Sequence, residues 1–174
     1  MNTPCKMRKI LILPNVANAP TLIGVYDTSC NLVESHTLEI PLSDGLVPFF
    51  VVFENKGVKF KELYFVRGPG SFMALKLIYL FAKTLQITKN IALYATDAFY
   101  FNNNSPIKAY GNCYFVKENV ETHTAELHTS PNILLKTYNA PNAIPPIAPF
   151  ALPKVLNLEI FSTELNPLYV LPPI

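Results

Sequence analysis

The residues best placed for chemistry form a glycine-proline turn, Gly68, Pro69 and Gly70, which Ser71 follows. A glycine-rich turn at the start of a helix can hold an anion, because the free N–H groups of the first turn point at it. Pro69 removes one of those donors, however. Ser71 lacks the Gly-x-Ser-x-Gly spacing of a serine hydrolase, and its place before an apolar run favours a helix N-cap. The turn is therefore predicted to start a helix rather than to bind a ligand.

The other groups that could do chemistry are scattered along the chain. His123 and His128 are five residues apart, a spacing that turns the two rings away from each other on a helix or a strand. The triplet Asp27–Ser29 falls at the end of a predicted strand and favours a hairpin turn. A two-metal nuclease site needs gathered carboxylates, but the candidates lie at separate strand ends: Asp27, Glu34, Glu39 and Glu62. The sequence predicts no catalytic residue, no metal ligand and no cofactor site.

The composition favours a folded, intracellular chain. Of its 174 residues, 50% are hydrophobic and 15% are charged, which argues against general disorder. The net charge of +2 is too small to indicate a nucleic-acid binder. Three widely spaced cysteines, without a CxxC pair, fit reduced thiols in the cytoplasm: Cys5, Cys30 and Cys113. The apolar run Leu46–Phe53 is much shorter than the roughly 20 residues of a membrane span, and the N-terminus is predicted to be a strand rather than a signal peptide.

The elements that position the turn alternate in a recognisable order. Periodicity predicts strands at Lys9–Leu13, Pro20–Asp27, Leu32–Ile40, Phe60–Val66 and Asn90–Thr96. Two helices are predicted between them, at Leu42–Gly57 and Gly70–Gln86. The order βββαβαβ, a meander followed by strand-helix alternation, indicates an α/β fold with a mixed sheet flanked by helices.

The C-terminal third is less regular. A linker is predicted at Asn102–Pro106, with strand-like pieces at Ile107–Val116 and Ile133–Tyr138. Residues 141–174 hold half of the prolines, so this tail is expected to run extended over the surface. The chain is therefore predicted to divide into an N-terminal lobe, residues 1–101, and a shortened, proline-rich C-terminal part, residues 102–174.

Both predicted helices are apolar on nearly every side. The first is expected to start at Ser43 or Asp44, since Pro48 is tolerated only near a first turn, and to stop at Gly57. One face of this helix carries the stripe Leu46, Phe49, Phe50 and Phe53, and the other face carries Val47, Val51 and Val52. The second helix has one stripe at Leu75, Ile78, Ala82 and Leu85, and another at Met73, Leu77, Leu80, Phe81 and Thr84.

A helix packed on one sheet buries a single stripe, so this pattern predicts burial from two directions, by the sheet and by a partner. Phe49 and Phe53 are expected to share one face, with Phe50 turned toward the other. The residues predicted to contact a partner are Leu46, Phe49, Phe50, Phe53, Met73, Leu77, Leu80 and Phe81.

The turn and the second helix resemble the TsaB (YeaZ) family, whose motif reads close to GPGSFTGLRIGLATAKGLA. The matching positions are Gly68, Pro69, Gly70, Ser71, Phe72, Leu75, Ala82, Lys83 and Leu85. The family's Thr, Gly, Arg and Gly are replaced by Met73, Ala74, Lys76 and Ile78. Near the end, Asn166–Tyr169 is similar to the family's closing proline-leucine-tyrosine element. The similarity is best over residues 9–100.

This resemblance implies an actin-like ATPase (ASKHA) or RNase H-like fold with a reduced second lobe. It also implies a non-catalytic subunit that binds the transferase TsaD, and with it the ATPase TsaE, for threonylcarbamoylation of the adenosine next to the tRNA anticodon. Two helices from each protein would pack as a four-helix bundle, and the same surface would form a homodimer when the subunit is alone. Contact with tRNA would be indirect.

Two other functions stay open. An active actin-like ATPase or a glycoprotease-like hydrolase is one, although the segment Ile12–Ala17 lacks the acidic residue that such ATPases carry after their first strand. The other is an RNase H-like interaction module unrelated to tRNA.

Overall fold

A five-stranded mixed sheet organises the first part of the chain. The structure, a computed structural model, describes residues 6–14, 19–118 and 132–170. The strands are β1 Lys6–Leu13, β2 Thr21–Tyr26, β3 Leu32–Leu38, β4 Val58–Val66 and β5 Ala92–Thr96. Their order in the sheet is β3-β2-β1-β4-β5, with antiparallel pairing through β1, β2 and β3 and parallel pairing of β4 with β1 and β5. The predicted order βββαβαβ is confirmed.

The sheet has an apolar core on each face. Ile10 and Ile12 of β1 join the core that the two helices cover, whereas Leu11 and Leu13 join the core on the opposite face. Consecutive strand residues point to opposite faces, so the continuous apolar run of β1 is the mark of a strand buried on both sides. The helices α1 Leu42–Asn55 and α2 Phe72–Lys89 pack on the same face of the sheet.

The first turn of α1 differs from the expected one, in which Ser43 or Asp44 was predicted to cap the helix. Helix α1 begins at Leu42 after Pro41, and Asp44 and Ser43 bond to each other rather than capping it. Pro48 consequently lies inside the helix. Pro48 and Asp44 are both on the exposed side, where water can satisfy the Asp44 carbonyl that proline leaves without a helical donor. The helix ends at Asn55, two residues before the predicted stop at Gly57, and Gly57 has a φ of +74°.

A second sheet of three antiparallel strands follows a short linker. Its strands are β6 Ile107–Tyr110, β7 Cys113–Glu118 and β8 Asn132–Thr137, in the order β6-β7-β8. The stretch Ile107–Val116, predicted as one strand, is a hairpin that turns at Gly111 with a φ of +48°. Ile107 and Phe115 reach from this sheet into the core on the second face of the first sheet.

The described part of the proline-rich tail is extended, as predicted, apart from two short 3-10 turns, and it crosses the second face of the first sheet. We call residues 148–170 the C-terminal strap. The Tyr26 hydroxyl donates to the Pro153 carbonyl at 2.9 Å, and the Leu156 N–H donates to the Cys30 carbonyl at 2.8 Å. Further along, Ala95 of β5 and Ser162 exchange two backbone hydrogen bonds of 2.9 Å. The strap thus covers the face that the helices leave open, while a domain division after residue 101 stays a prediction.

Within the described ranges, neither helix has both the length and the apolar character that a membrane crossing requires.

Candidate partner interface

The glycine-proline turn is a contact point for the strap. Gly68 and Pro69 are buried, and Gly68 has a φ of +132°. A Cβ atom on Gly68 would lie 2.9 Å from the Leu168 carbonyl oxygen and 3.1 Å from Leu75 Cδ1. Glycine is therefore needed here both for its backbone angle and for the close approach of the strap. The strap therefore occupies the space directly beside the Gly68 backbone.

Arg67 ties the strap to the same place. Its guanidinium, 7% exposed, donates to Glu164 Oε1 at 3.1 Å and to the Asn166 carbonyl at 3.2 Å. The Leu168 N–H donates to the Arg67 carbonyl at 2.7 Å. Charge-assisted hydrogen bonds of this kind are the stronger ones in proteins. Arg67 is not among the residues predicted from the sequence. The only sequence feature that could have pointed to it is its position between a buried strand and the turn.

Ser71 occupies the N-cap position of α2, but its side chain makes no capping hydrogen bond. Its backbone carbonyl accepts the Leu75 N–H at 3.0 Å, the first bond of the helix. The predicted capping role of the hydroxyl is therefore wrong. Next to it, the ring of Phe72 packs on Tyr169 of the strap with centroids 4.7 Å apart, so the strap also holds the start of α2.

The stripe of α1 that was predicted to meet a partner lies in the core instead. Its side chains are only 2 to 8% exposed: Leu46, Phe49, Phe50 and Phe53. Phe49 and Phe53 pack together with centroids 4.7 Å apart, and Phe50 turns toward Phe60 and Phe81, each at 5.2 Å. As expected, Phe49 and Phe53 share one direction and Phe50 takes another. Both directions point into the protein, because the space between the two helices and the sheet holds a wide apolar stripe.

The outward side of α1 carries valines. Val47, Val51 and Val52 are about half exposed, and they lie on the face opposite the buried phenylalanines. The sequence pattern places these valines on the other side of the helix from the phenylalanines, and they are not among the residues predicted to contact a partner. They replace the phenylalanines as the residues of α1 that a partner can reach.

Helix α2 presents an apolar seam to the outside. Met73 is 61% exposed and Leu80 51%, as the interface prediction requires, whereas Leu77 and Phe81 are partly buried against the core. Ile87, 82% exposed, extends the seam by one more heptad. It was missed because α2 was predicted to end at Gln86, and the left-handed Asn90 that follows the observed end is a recognised stop signal.

The spacing of this seam is that of a coiled coil. Met73, Leu77, Leu80, Thr84 and Ile87 alternate steps of four and three residues, the pattern that keeps one side of a helix against another helix. The Thr84 hydroxyl already donates to a carbonyl of its own helix at 2.9 Å. We call the exposed valines of α1 and the exposed apolar residues of the α2 seam the outer helical face: Val47, Val51, Val52, Met73, Leu80 and Ile87.

Comparison with known proteins shows which fold the chain has. No family model and no curated protein matches this sequence. YeaZ from Pseudomonas aeruginosa matches in structure with a TM-score of 0.51 and 15% identity, over 73% of this chain and 67% of that chain. The chain has the YeaZ fold. A crystal structure of an uncharacterized protein with similarity to peptidase YEAZ from Pseudomonas aeruginosa gives a TM-score of 0.52 and 15% identity, over 74% of this chain and 66% of that chain.

The likeness to YeaZ that the GPGSF motif indicated is thus confirmed for the fold. Within it, both helices lie on one face of the mixed sheet, and the outer helical face belongs to that layer. The chain spans about two thirds of the length of these two structures.

On the opposite face of this YeaZ-like sheet, one polar network is internally paired. Lys9 Nζ lies 2.8 Å from Glu62 Oε2, and the Tyr64 hydroxyl donates to the same oxygen at 2.6 Å. Burial would raise the pKa of Glu62, but the hydrogen bonds from Lys9 and Tyr64 outweigh it and hold that pKa below its ordinary value. Burial, and then the bond to Glu62, raises the pKa of Tyr64. Near neutral pH, Glu62 therefore stays ionised while Lys9 and Tyr64 stay protonated, and the network has a structural role.

In the part of the chain that the structure describes, no group of three or more His, Cys, Asp or Glu residues is arranged to hold a metal ion. His123 and His128, and residues 15–18, lie outside the described residues.

Proposed function

We propose that this chain is a non-catalytic subunit of the TsaB (YeaZ) kind, which binds a TsaD-type transferase through the outer helical face. The complex, completed by the ATPase TsaE, would place threonylcarbamoyl on the adenosine next to the tRNA anticodon, in the cytoplasm. The observation that carries this proposal is an apolar outward surface on both helices of a YeaZ-like fold.

The surface itself supports an interface. Isolated exposed apolar side chains are ordinary, but several of them on the outward sides of two helices in one layer are typical of a protein-protein contact. Two packed helices, one of which carries a heptad seam, can accept two more from a partner at the shallow angle of a four-helix bundle. A stable contact of this kind buries about 800 Å² on each partner. In the absence of TsaD, we expect a second copy of the chain to occupy the same face.

A non-catalytic role is supported by the closed turn. Leu168 packs against the Gly68 backbone, and its N–H donates to the Arg67 carbonyl, so the turn is held by the strap. The strand β1 also ends at Leu13 and the buried Pro14, without a carboxylate at its end. The word peptidase in the description of one structural neighbour belongs to that protein. The alternative, an active ATPase or hydrolase, predicts heat of ATP binding with magnesium in calorimetry, which we do not expect.

The interface can be tested by co-expression with the cognate TsaD and size-exclusion chromatography. The double variant Val51→Glu with Leu80→Glu should lose the complex, because each change places a charge in the middle of the outer helical face. Val33→Glu on β3, at a comparably exposed valine, is the matched control and should keep the complex. Circular dichroism should show all variants folded. Unaltered association of the double variant would refute the proposed interface.

The link to tRNA needs a separate measurement. Depletion of the chain in its host should lower threonylcarbamoyladenosine in tRNA, as measured by mass spectrometry of nucleosides. The wild type and Val33→Glu should restore the modification, and the double variant should not. Normal modification after depletion would favour the third possibility, an interaction module unrelated to tRNA.

A further inference from the structure

Two lysines border the apolar seam of α2. Lys76 directly precedes Leu77 of the seam. One heptad later, Lys83 directly precedes Thr84. The lysines occupy the g positions of the heptad when Leu77 and Thr84 occupy its a positions. Residues one heptad apart on a helix point in nearly the same direction, so both lysines lie along one flank of the seam.

This flank is the side of α2 that faces away from α1. The other flank carries Phe81, whose ring packs on Phe50 of α1 with centroids 5.2 Å apart. The lysines therefore lie at the rim of the outer helical face, beyond the contact between the two helices. A residue at a g position lies beside the helix that occupies the seam, so a partner helix docked on α2 would pass within reach of both lysines.

The charge of these two lysines is not balanced by the described part of the chain. Lys76 is exposed, and neither lysine forms an ion pair with a described carboxylate. The Lys83 ammonium donates to the neutral side-chain amide of Gln86 at 3.1 Å. By contrast, Lys89 at the end of α2 pairs with Glu54 of α1. The rim thus carries two positive charges that are open to pairing with a partner.

A second copy of the chain is poorly suited to neutralise both lysines. Helix α2, Phe72–Lys89, contains no Asp or Glu, so α2 of a second copy offers them no carboxylate in any orientation. Helix α1 contains only Asp44 and Glu54, which are not one heptad apart, and Glu54 is already paired. The charge pattern therefore favours a different protein over a second copy.

We propose that the partner helix that docks on α2 carries two acidic residues, Asp or Glu, one heptad apart beside its own apolar seam. This inference rests on the proposed function, because it gives the chemistry of the TsaD surface that the outer helical face would meet. Charges at the rim of an interface steer association and select between partners more than they add affinity. The two lysines would accordingly favour the complex with TsaD over the homodimer.

The test measures the affinity of the chain for its cognate TsaD by surface plasmon resonance, at about 50 and about 500 mM NaCl, since salt screens exposed charges. Lys76→Glu with Lys83→Glu should weaken binding about tenfold at low salt, because two attractive pairs become repulsive. The loss should lie mainly in the association rate and should shrink at high salt. Lys76→Gln with Lys83→Gln, which only removes the charges, should weaken binding about threefold at low salt.

Lys108→Glu with Lys154→Glu is the matched control. Both lysines are exposed and lie outside the two helices, and their reversal changes the net charge of the chain by the same amount. It should change the affinity by less than about twofold, because only the general field of the protein is altered. Circular dichroism should show every variant folded.

A charge swap identifies the residues on the partner. Substitution by lysine of one acidic pair, one heptad apart on a TsaD helix, should weaken binding of the wild-type chain. The same substitution should restore binding of Lys76→Glu with Lys83→Glu.

Three outcomes would overturn the inference while the proposed function stands, that is, while wild type binds TsaD and Val51→Glu with Leu80→Glu does not. One is an unchanged affinity of the reversed lysine variant at low salt. Another is an equal loss in the control variant, which would assign the effect to net charge. The third is that no acidic pair of this spacing on the TsaD helices restores binding. Failure of the wild type itself to bind TsaD would instead refute the proposed function, and this inference with it.

Discussion

Substitution of Gly68 by alanine tests whether the glycine-proline turn is built to receive the strap. The φ of +132° at Gly68 is in a region that residues with a Cβ rarely adopt. The added Cβ would lie 2.9 Å from the carbonyl oxygen of Leu168 and 3.1 Å from its Cβ. A backbone oxygen cannot rotate away as a flexible side chain can, so the strap itself would have to move.

The expected cost has two parts. Holding alanine at this backbone angle costs about 1–3 kcal/mol. Moving the strap weakens the 2.7 Å hydrogen bond from the Leu168 N–H to the Arg67 carbonyl, for about 1 kcal/mol more. We therefore expect Gly68→Ala to lower the free energy of unfolding by about 2–4 kcal/mol, a large fraction of the stability of an ordinary domain.

Gly57→Ala is the matched control. Gly57 also has a positive φ, of +74°, but a Cβ there would meet no atom within 4 Å. It should cost only the backbone strain, about 1–2 kcal/mol. Urea unfolding followed by circular dichroism would give both values, and amide exchange at Leu168 should accelerate in Gly68→Ala alone. Equal costs for the two substitutions, with unchanged exchange at Leu168, would refute the packing of the strap on the turn.

Two further predictions concern the core and the polar network. Phe53→Ala should lower the free energy of unfolding by about 3–5 kcal/mol because it opens a cavity in the core. Val33→Thr, at an exposed strand position, should change it by less than about 0.5 kcal/mol. Equal effects of the two substitutions in urea unfolding would contradict the burial of Phe53. The low pKa of Glu62 gives stability that is complete above the unfolded pKa and is lost as pH falls through the folded pKa. Glu62→Gln should therefore reduce the loss of thermal stability between pH 6 and pH 3, and an acid limb identical to that of the wild type would contradict the pairing with Lys9 and Tyr64.

The order of elements could be predicted from the sequence because each signal was local. Alternation, helical periodicity and the glycine stops located all five strands of the main sheet and both helices. The errors were local too. Pro48 predicts that α1 starts near Ser43 or Asp44, but proline is tolerated further into the helix because it lies on the exposed side. The sequence pattern also predicts no turn at Gly111, where the structure has a hairpin.

Only part of the proposed partner surface could be predicted from the sequence. Periodicity groups the residues of a helix into stripes, but it does not say which stripe faces the sheet. In α1 the largest side chains, Phe49, Phe50 and Phe53, face inward, because they bury the most apolar area there. The smaller valines face outward. In α2 the inner stripe contains Ala82, a small residue that permits close packing, and Met73 and Leu80 remain outside.

The contact between strap and turn lay beyond sequence reasoning, because it joins residues about a hundred positions apart. Periodicity and turn chemistry report on neighbours along the chain, and neither links Arg67 to Glu164. The sequence marks both ends of the contact, but separately: the turn by its glycines, and Asn166–Tyr169 by its likeness to a closing element. The structure shows that they are one feature.

That feature connects the two faces of the sheet. The strap covers the face without helices, and its last described residues contact Gly68 and Phe72, at the point where α2 begins. The position of α2, and with it the seam of Met73, Leu80 and Ile87, is therefore fixed from one end by residues of the strap. A glycine at the turn serves this arrangement better than any residue with a Cβ, because it lets the strap come within contact distance of the backbone. The turn that first suggested a phosphate site is better explained as the joint between the strap and the helix that presents the outer helical face.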